Sequence, residues 1–304
     1  MEVDDMRIGF IGLGRMGKNM VNRMLMNSME VVAYDKSEEA IDDVVSQGAE
    51  GVGSVKECID TLETGKRVIW MMLPAGEVTE NVFQEALALL ERGDILIDGA
   101  NSNFHDTMRR HKQAEDAGVG MLDVGVSGGI IAAERGYPMM VGGEEEVYER
   151  CRPIFDALGI DEGYDLVGGP AAGHYVKMVH NAIEYGMMQA IAEGFDLLRN
   201  GRMEGLDLRK VAHVWNHGTI ISSFLMDMTE KALDKDQGLS YLKAQVDDSG
   251  EGRWAATEAL EHAVPFVTNT YALHARFASR DEDSYALRLL AAMREQFGGH
   301  PVHR

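Results

Sequence analysis

Four polar side chains recur at helical spacing in the middle of the chain. Residues three, four and seven positions apart share one face of a helix, so a helix would place this set on one stripe. The four are Lys177, His180, Asn181 and Glu184. A solvated face would more often carry several lysines and glutamates, whereas this set combines hydrogen-bond donors with two titratable groups of different type. The stripe therefore indicates a site, and a solvated face with a Lys–Glu pair is the alternative.

A glycine-rich turn near the start of the chain is a second candidate for binding chemistry. It follows a short apolar stretch that predicts a strand over Ile8–Gly12, and it opens a predicted helix over Gly14–Asn27. In this setting the pattern GxGxxG favours a dinucleotide, because free backbone N–H groups and the helix dipole attract a pyrophosphate. A glycine turn without a ligand is the alternative. The expected cofactor contacts are Gly12, Leu13, Gly14, Arg15, Met16 and Gly17.

Asp35 stands at the end of the second predicted strand. Its carboxylate would accept hydrogen bonds from the ribose diol of adenosine and would repel a 2′-phosphate, which favours NAD over NADP. Lys36 and Ser37 follow directly, and Lys36 would offset part of that repulsion. The expected cofactor is therefore NAD, with NADP as the alternative.

Three further turns follow predicted strands and should line the same crevice, because ligands bind at the carboxyl ends of parallel strands. Leu73 and Pro74 should pass near the nicotinamide, and Asn101 should reach the nicotinamide or the substrate. The third turn offers a hydroxyl and backbone N–H groups that would hold a carboxylate or hydroxyl, with a simple polar turn as the alternative. It consists of Ser127, Gly128 and Gly129.

The elements that must position these residues change in character near residue 170. Strands and helices alternate from residue 7 to about Val167, which predicts parallel βαβ units, and only helical spacing follows from His174 onward. The predicted fold class is α/β: a Rossmann-like, doubly wound dinucleotide-binding domain over residues 1–170. An all-helical substrate and oligomerisation domain should follow over residues 171–304.

Composition limits the partners of the chain. It has 304 residues and a net charge of -21 from 50 acidic and 29 basic residues, so its field repels nucleic acid and anionic membranes. The acidic surface fits either ordinary solvation or a high-salt environment, and clusters such as Asp247-Asp248 read as solvated faces. No apolar run reaches the roughly 18 residues of a membrane span. Two distant cysteines and an acidic start predict a cytoplasmic protein.

The segment around the polar stripe supports a family resemblance that spans nearly the whole chain. Residues 177–186 read Lys-Met-Val-His-Asn-Ala-Ile-Glu-Tyr-Gly. With the Ser-Gly-Gly turn at 127–129, the chain resembles the 6-phosphogluconate dehydrogenases, the decarboxylating enzymes of the pentose phosphate pathway. It is similar to their shorter form within the β-hydroxyacid dehydrogenases. The pairs His180-Asn181 and Glu184-Tyr185 are characteristic of the phosphogluconate enzymes.

The resemblance implies a role for each matching residue near the reacting carbons. Lys177 would be the base that takes the proton of the substrate 3-hydroxyl, and burial beside the nicotinamide should lower its pKa. Glu184 would be the acid that protonates C1 of the enediol after CO₂ has left. No metal is expected. The implied holders of the substrate carboxylate and hydroxyls are Asn101, Ser127, Gly128, Gly129, His180 and Asn181.

The resemblance also implies a phosphate subsite and an oligomer. Tyr185, Arg253 and Arg276 match phosphate-contacting residues of the family, and Ala255 replaces a threonine whose hydroxyl contact is then lost. Arg294 and His300 match residues that a neighbouring subunit contributes. A homodimer or homotetramer should therefore complete each site with the C-terminal segment of a neighbour.

Two alternative functions stay open from the sequence. One is another β-hydroxyacid dehydrogenase, of the 3-hydroxyisobutyrate or tartronate semialdehyde type, which would not need the cationic residues of the phosphate subsite. The other is a dinucleotide-binding sensor without turnover, against which the Lys177–Glu184 stripe argues.

Overall fold

The first half of the chain forms an eight-stranded sheet in the computed structural model, which describes residues 7–298, 301 and 303. The strand order is β3-β2-β1-β4-β5-β6-β7-β8, so the chain reverses direction across the sheet between β1 and β4. Such a switch point is where ligands bind in open α/β sheets. The strands are β1 (Arg7–Ile11), β2 (Glu30–Tyr34), β3 (Glu50–Gly51), β4 (Val68–Met71), β5 (Ile95–Asp98), β6 (Gly120–Val126), β7 (Tyr137–Gly143) and β8 (Gly159–Gly168).

Helices connect these strands and then make up the rest of the described chain. This order confirms the predicted class, a Rossmann-like α/β domain followed by a helical one. Those of the sheet half are α1 (Arg15–Met26), α2 (Glu38–Val45), α3 (Val55–Asp60), α4 (Glu77–Leu89), α5 (Phe104–Ala117), α6 (Ala132–Arg135) and α7 (Glu145–Leu158). The later ones are α8 (Ala172–Asn200), α9 (Leu208–Asn216), α10 (Phe224–Lys235), α11 (Glu251–Glu261), α12 (Val267–Ala278) and α13 (Tyr285–Gly298).

One feature of the sheet departs from the expected run of parallel βαβ units. Strand β7 pairs antiparallel with β6, and β8 then pairs parallel with β7. The connection between β6 and β7 holds only a 3₁₀ turn and the four-residue helix α6. A parallel crossover needs about a dozen residues or more, so this short link returns the chain in the opposite direction.

The core lies on both faces of the sheet, because neighbouring residues on a strand point to opposite sides. Phe10 and Trp70, adjacent on β1 and β4, belong to one apolar layer and stack with ring centroids 6.2 Å apart. Ile11 and Met71, the next pair along, belong to the layer on the other face. Burial on both faces holds the carboxyl ends of β1 and β4 in fixed positions.

The chain divides into two compact units, the sheet unit (Met1–His180) and the helical unit (Asn181–Arg304), and the division falls within α8. The second unit has its own small core, formed by Phe195, Leu208, Ala212, Met226 and Leu233. Over the residues that the structure describes, no helix is both long enough and apolar enough to cross a membrane.

Candidate active site

The glycine turn lies at the switch point, directly after β1. Gly12 has φ +103°, and a Cβ there would overlap the carbonyl oxygen of Met72 beyond β4. A Cβ on Gly17 would overlap the carbonyl oxygen of Gly12, so helix α1 lies in close contact with the turn. A Cβ on Gly14 would meet no atom within 4 Å, so the backbone there faces open space that a ligand can enter.

The start of helix α1 is suited to an anion. Its N-cap residue Gly14 provides no side-chain hydrogen bond, and its first turn carries no acidic residue. Helix α2 differs, since Ser37 caps it and Glu38 and Glu39 occupy its first turn. Because the first N–H groups of a helix have no intrahelical acceptor, those of α1 can bind a pyrophosphate. These residues fit the dinucleotide that the sequence predicts.

Asp35 lies beside the turn and already accepts two backbone hydrogen bonds. Its Oδ2 accepts from the N–H of Leu13 at 2.7 Å, and its Oδ1 accepts from the N–H of Ser37 at 2.9 Å. Each carboxylate oxygen keeps a further lone pair with which it can accept from a ribose hydroxyl. Asp35 thus combines shaping of the turn with the predicted recognition of the diol.

Replacing Asp35 with asparagine should weaken the binding of NAD more than that of NADP. The amide removes the charge that repels a 2′-phosphate and cannot accept both backbone N–H groups. We expect the ratio of the two dissociation constants to shift about tenfold toward NADP, or about 1.4 kcal/mol. Isothermal titration with each dinucleotide measures the ratio. Asp43→Asn removes an exposed carboxylate that pairs with Lys18, and it should leave the ratio unchanged. An unaltered ratio in the Asp35 variant would exclude Asp35 as the discriminating residue.

The turns after β5 and β6 are tied to each other through Asn101. Its Nδ2 donates to the carbonyl of Val126 at 3.3 Å, and its Oδ1 accepts from the Val126 N–H at 3.1 Å. Asn101 adopts φ +49°, and Asp98 holds its loop by accepting from the N–H of Ala100 and from Arg110. One N–H and one lone pair of the Asn101 amide are left for a ligand. The hydrogen bonds to Val126 fix the residue that precedes Ser127.

Lys177 is buried against strand β6. It packs on Gly125, which precedes Ser127 by two residues. Lys177 is 6% exposed, and a Cβ on Gly125 would overlap the Lys177 Cβ. His180, Asn181 and Glu184 follow on the same continuous helix and are half-buried. The burial of Lys177 argues against the alternative of a solvated face at this position and supports the interpretation of the stripe as a site.

A second group of predicted residues gathers within the helical unit around Tyr185. Tyr185 is 6% exposed, and the guanidinium carbon of Arg276 lies 3.6 Å from the centroid of its ring. The Tyr185 hydroxyl lies 3.1 Å from Ser249 Oγ and accepts from the Ser249 N–H at 3.0 Å. Arg276 also donates to the carbonyl of Asp247 at 2.7 Å. The structure thus brings Tyr185 and Arg276 together, as the resemblance implies.

Arg253 lies in the same unit, but its guanidinium is engaged by a carboxylate. It donates to both oxygens of Asp248, at 2.8 and 2.9 Å, and Arg280 approaches the same carboxylate at 3.0 Å. The hydrogen bonds from Arg253 and Arg280 lower the pKa of Asp248 to about 2, against the opposing effect of burial. The expectation that Asp248 belongs to a solvated acidic face is therefore wrong, because its side chain is only 3% exposed and two arginines compensate its charge.

The remaining predicted contacts lie near the C-terminus. Ala255 is buried and presents only a methyl group, so the family's threonine hydroxyl has no counterpart. Arg294 is exposed on α13. His300 lies outside the described residues.

Sequence reasoning missed two buried polar residues that support the loops and strands of the site. Arg110 is fully buried on α5 and holds Asp98 at 2.9 Å, and Asp123 is fully buried on β6. Their partners are distant in sequence, so neither spacing nor periodicity identifies them. For Asp123, a charged residue inside an otherwise apolar strand is the one indication that the sequence offers, whereas Arg110 lies on a helix of mixed polarity that offers none.

Comparison with known proteins agrees with this architecture. Residues 7–168 match the family model described as the NAD binding domain of 6-phosphogluconate dehydrogenase, and residues 173–297 match its C-terminal domain. An NAD(+)-dependent, decarboxylating 6-phosphogluconate dehydrogenase of Haloferax volcanii is 41% identical over 98% of this chain and 99% of its own length.

Solved structures give the same result. The 6-phosphogluconate dehydrogenase of Plasmodium falciparum, determined with NADP+ and with its substrate, matches 98% of this chain at 28% identity with a TM-score of 0.84. This chain spans 66% of that longer protein. A 3-hydroxyisobutyrate dehydrogenase of Mycobacterium tuberculosis has the same fold at 24% identity, with 93% of this chain and 98% of that one covered and a TM-score of 0.72. The resemblance predicted from residues 177–186 is thereby confirmed, and the chain belongs to the 6-phosphogluconate dehydrogenase family.

Proposed function

We propose that the protein oxidises and decarboxylates 6-phosphogluconate to ribulose 5-phosphate and CO₂, with reduction of NAD. The observation that carries this proposal is the buried Lys177, packed on β6 beside the turn of Ser127. A buried lysine is suited to act as a base, because burial disfavours its charged form. Membership of the family and the name of the Haloferax volcanii relative support the same reaction.

The dinucleotide would be held by the glycine turn and by Asp35. The open N-terminus of α1 would receive the pyrophosphate, and the free lone pairs of Asp35 would accept from the ribose diol. Lys36, Ser37, Leu73 and Pro74 would complete the contacts. When bound, NAD supplies the acceptor for the hydride that leaves C3 of the substrate. NADP is the alternative cofactor, and Asp35 is the residue that disfavours it.

Lys177 and Glu184 would perform the two proton transfers on the substrate. Neutral Lys177 takes the proton of the 3-hydroxyl while the hydride departs from C3, which leaves a 3-keto acid. The resulting ammonium group returns this proton to the keto oxygen as the C1–C2 bond breaks, so CO₂ leaves and the electron pair of that bond forms the C2–C3 double bond of an enediol. Glu184 then protonates the carbon that has lost CO₂, while the hydroxyl on C3 gives its proton back to Lys177 and becomes the ketone of ribulose 5-phosphate.

The other polar residues would bind and orient the substrate. In the sheet unit, Asn101, the turn of residues 127–129 and His180 would offer donors to the carboxylate and hydroxyls. Asn181, with which the helical unit begins, would offer a further one. In the helical unit, Arg276 and Tyr185 would contact the phosphate. Arg253 is already paired with Asp248, so we propose that its remaining N–H groups donate to the phosphate of the substrate.

We also propose that the enzyme works in the cytoplasm as a homodimer or homotetramer in which Arg294 and His300 complete a neighbour's phosphate subsite. Helix α13 supports an interface, because it exposes apolar side chains that a second copy would cover. These include Leu287, Leu289, Leu290 and Met293.

Steady-state assays with three substrates test the proposed reaction. Formation of NADH at 340 nm should be faster with 6-phosphogluconate than with 3-hydroxyisobutyrate or tartronate by at least about 10³-fold in kcat/KM, because only the phosphate engages the arginines. Each assay is run with NAD and NADP at low and high salt, and CO₂ release is measured in parallel. Equal turnover of the unphosphorylated acids would contradict the proposal. Absence of reduced cofactor with every substrate would instead support a sensor.

A further inference from the structure

A buried carboxylate on strand β6 anchors the helix that carries Lys177. Asp123 is fully buried, and its Oδ2 accepts a hydrogen bond from the backbone N–H of His174 at 2.8 Å. Its Oδ1 accepts from the backbone N–H of Ala171 and from Nε2 of His111, each at 2.8 Å. The first N–H groups of a helix need external acceptors, and here a side chain from the sheet provides them. Asp123 therefore ties the start of α8 to β6.

The carboxylate is held in its ionised form by the same contacts. Burial by itself would raise the pKa of Asp123, but the hydrogen bond from His111 and the electrostatic effect of the neighbouring His174 and His111 outweigh it and lower the pKa. An ionised acceptor makes stronger hydrogen bonds to backbone N–H groups than a neutral one. The anchor is thus a set of charge-assisted hydrogen bonds to a fully buried carboxylate.

The His174 side chain adds a second tie, to helix α5. Its Nδ1 lies 2.8 Å from Thr107 Oγ1, and the Thr107 hydroxyl donates to the carbonyl of Asn103 at 3.2 Å. Because the hydroxyl has one proton, it accepts from His174 Nδ1–H. Helix α5 also carries His111, so the first turn of α8 is fixed from both β6 and α5.

Close backbone contact makes this anchor sensitive to small displacements. A Cβ on Gly173 would overlap the carbonyl oxygen of Asp123, and a Cβ on Gly125 would overlap the Cβ of Lys177. The first turn of α8 and the stem of Lys177 therefore lie directly on strand β6. Lys177 stands one helical turn after His174, so a shift of that turn moves its amine by a similar distance.

We propose that Asp123 is the positioning residue for Lys177: its carboxylate, by holding the N–H groups of Ala171 and His174, fixes the first turn of α8 on β6 and so sets where the amine of Lys177 lies. The inference rests on the proposed function, in which Lys177 is the base. Hydrophobic packing of the sheet does not require a charged residue at position 123, and a buried charge is costly unless it is paired. The positioning role gives a reason for this charge.

Asp123→Asn tests the proposal with the smallest change in shape. An amide has only one acceptor oxygen. Its NH₂ group must therefore face one of the N–H donors whose hydrogen bond the carboxylate oxygen accepted. We expect kcat with 6-phosphogluconate to fall about 10- to 100-fold, because a displacement of a catalytic group by about 1 Å can lower the rate by about 100-fold. The dissociation constant of NAD, measured by titration, should stay within about twofold. The amides of Ala171 and His174 should exchange with deuterium at least about tenfold faster in the variant.

A matched control separates positioning from a general loss of stability. Asp94 is equally buried and also accepts two backbone hydrogen bonds, from Arg67 at 3.0 Å and Glu91 at 2.8 Å, but it precedes β5 at the opposite end of the strands. Asp94→Asn should lower Tm comparably and keep kcat within about twofold. If the two variants lose the same Tm and the same kcat, or if Asp123→Asn keeps wild-type kcat, the positioning role is wrong.

Measurements on the wild-type protein keep the proposal testable if Asp123→Asn does not fold. The amides of Ala171 and His174 should then exchange as slowly as those of β6, and exchange as fast as in the exposed turn after α9 would overturn the anchor. This readout is independent of turnover. Lack of activity with 6-phosphogluconate in the wild-type protein would contradict the proposed function, whereas rapid exchange at these two amides would contradict the anchor alone.

Discussion

Lys177→Met should abolish turnover of 6-phosphogluconate and leave the binding of NAD intact. Methionine matches the length of the lysine stem and tolerates the buried environment over Gly125, but it has no atom that accepts the proton of the 3-hydroxyl. We expect kcat to fall by about 10³- to 10⁴-fold, the upper range for loss of a general base. The NADH formed in a single turnover, followed by stopped flow, should disappear together with steady-state activity.

Two further variants test whether the loss of kcat in Lys177→Met reflects the loss of a base or the loss of a charge. Lys177→Arg keeps a positive charge but cannot become neutral, so it should be as inactive as the methionine variant if the residue acts as a base. Lys112→Met removes an exposed lysine that pairs with Asp116 on α5, and it should leave kcat unchanged. Activity above a tenth of wild type in Lys177→Met would exclude Lys177 as the base. Clear rescue by arginine would show that the residue contributes charge and not proton transfer.

The parts of this molecule that follow from local sequence are those with a short-range physical cause. The turn of residues 12–17 is recognisable because Gly12 requires a positive φ and α1 begins directly after it. The long helix α8 follows from apolar spacing that continues from Ala172 to Asn200. The family resemblance adds the roles of individual residues, which helical spacing alone does not provide.

The parts that the sequence does not reveal depend on pairing across the chain. The antiparallel strand β7 depends on a short connection whose 3₁₀ turn and α6 resemble an ordinary loop. Asp248 reads as a surface residue until Arg253 and Arg280 are placed around it. Asp123 reads as one polar residue in a strand, and its importance comes from N–H groups about 50 residues later in the chain. In each case a contact between residues distant in sequence determines the structure, and local sequence preference does not reveal it.

Placement of the two proposed proton-transfer groups on one helix has a mechanistic consequence. Seven residues of α-helix span about 10 Å along the axis, so in the proposed mechanism Lys177 and Glu184 would act on different atoms of the substrate and not on the same proton. Glu184 is half-buried, while Lys177 is buried. If the lysine acts before CO₂ leaves and the glutamate acts after it, variants at the two positions must differ in the step that they block.

Glu184→Gln should therefore slow steady turnover without preventing the first hydride transfer. Glutamine keeps the shape and can hydrogen-bond, but it cannot give a proton to the enediol carbon. We expect the steady-state rate to fall about 10²- to 10³-fold, while stopped flow still records a rapid burst of about one NADH per site. Lys177→Met should show no such burst. Glu193→Gln, an exposed change on the same helix where Glu193 accepts from Gln189, should leave both phases unchanged. If the burst of Glu184→Gln slows as much as its steady rate, Glu184 acts before or during oxidation, and the proton that completes ribulose 5-phosphate must come from another group.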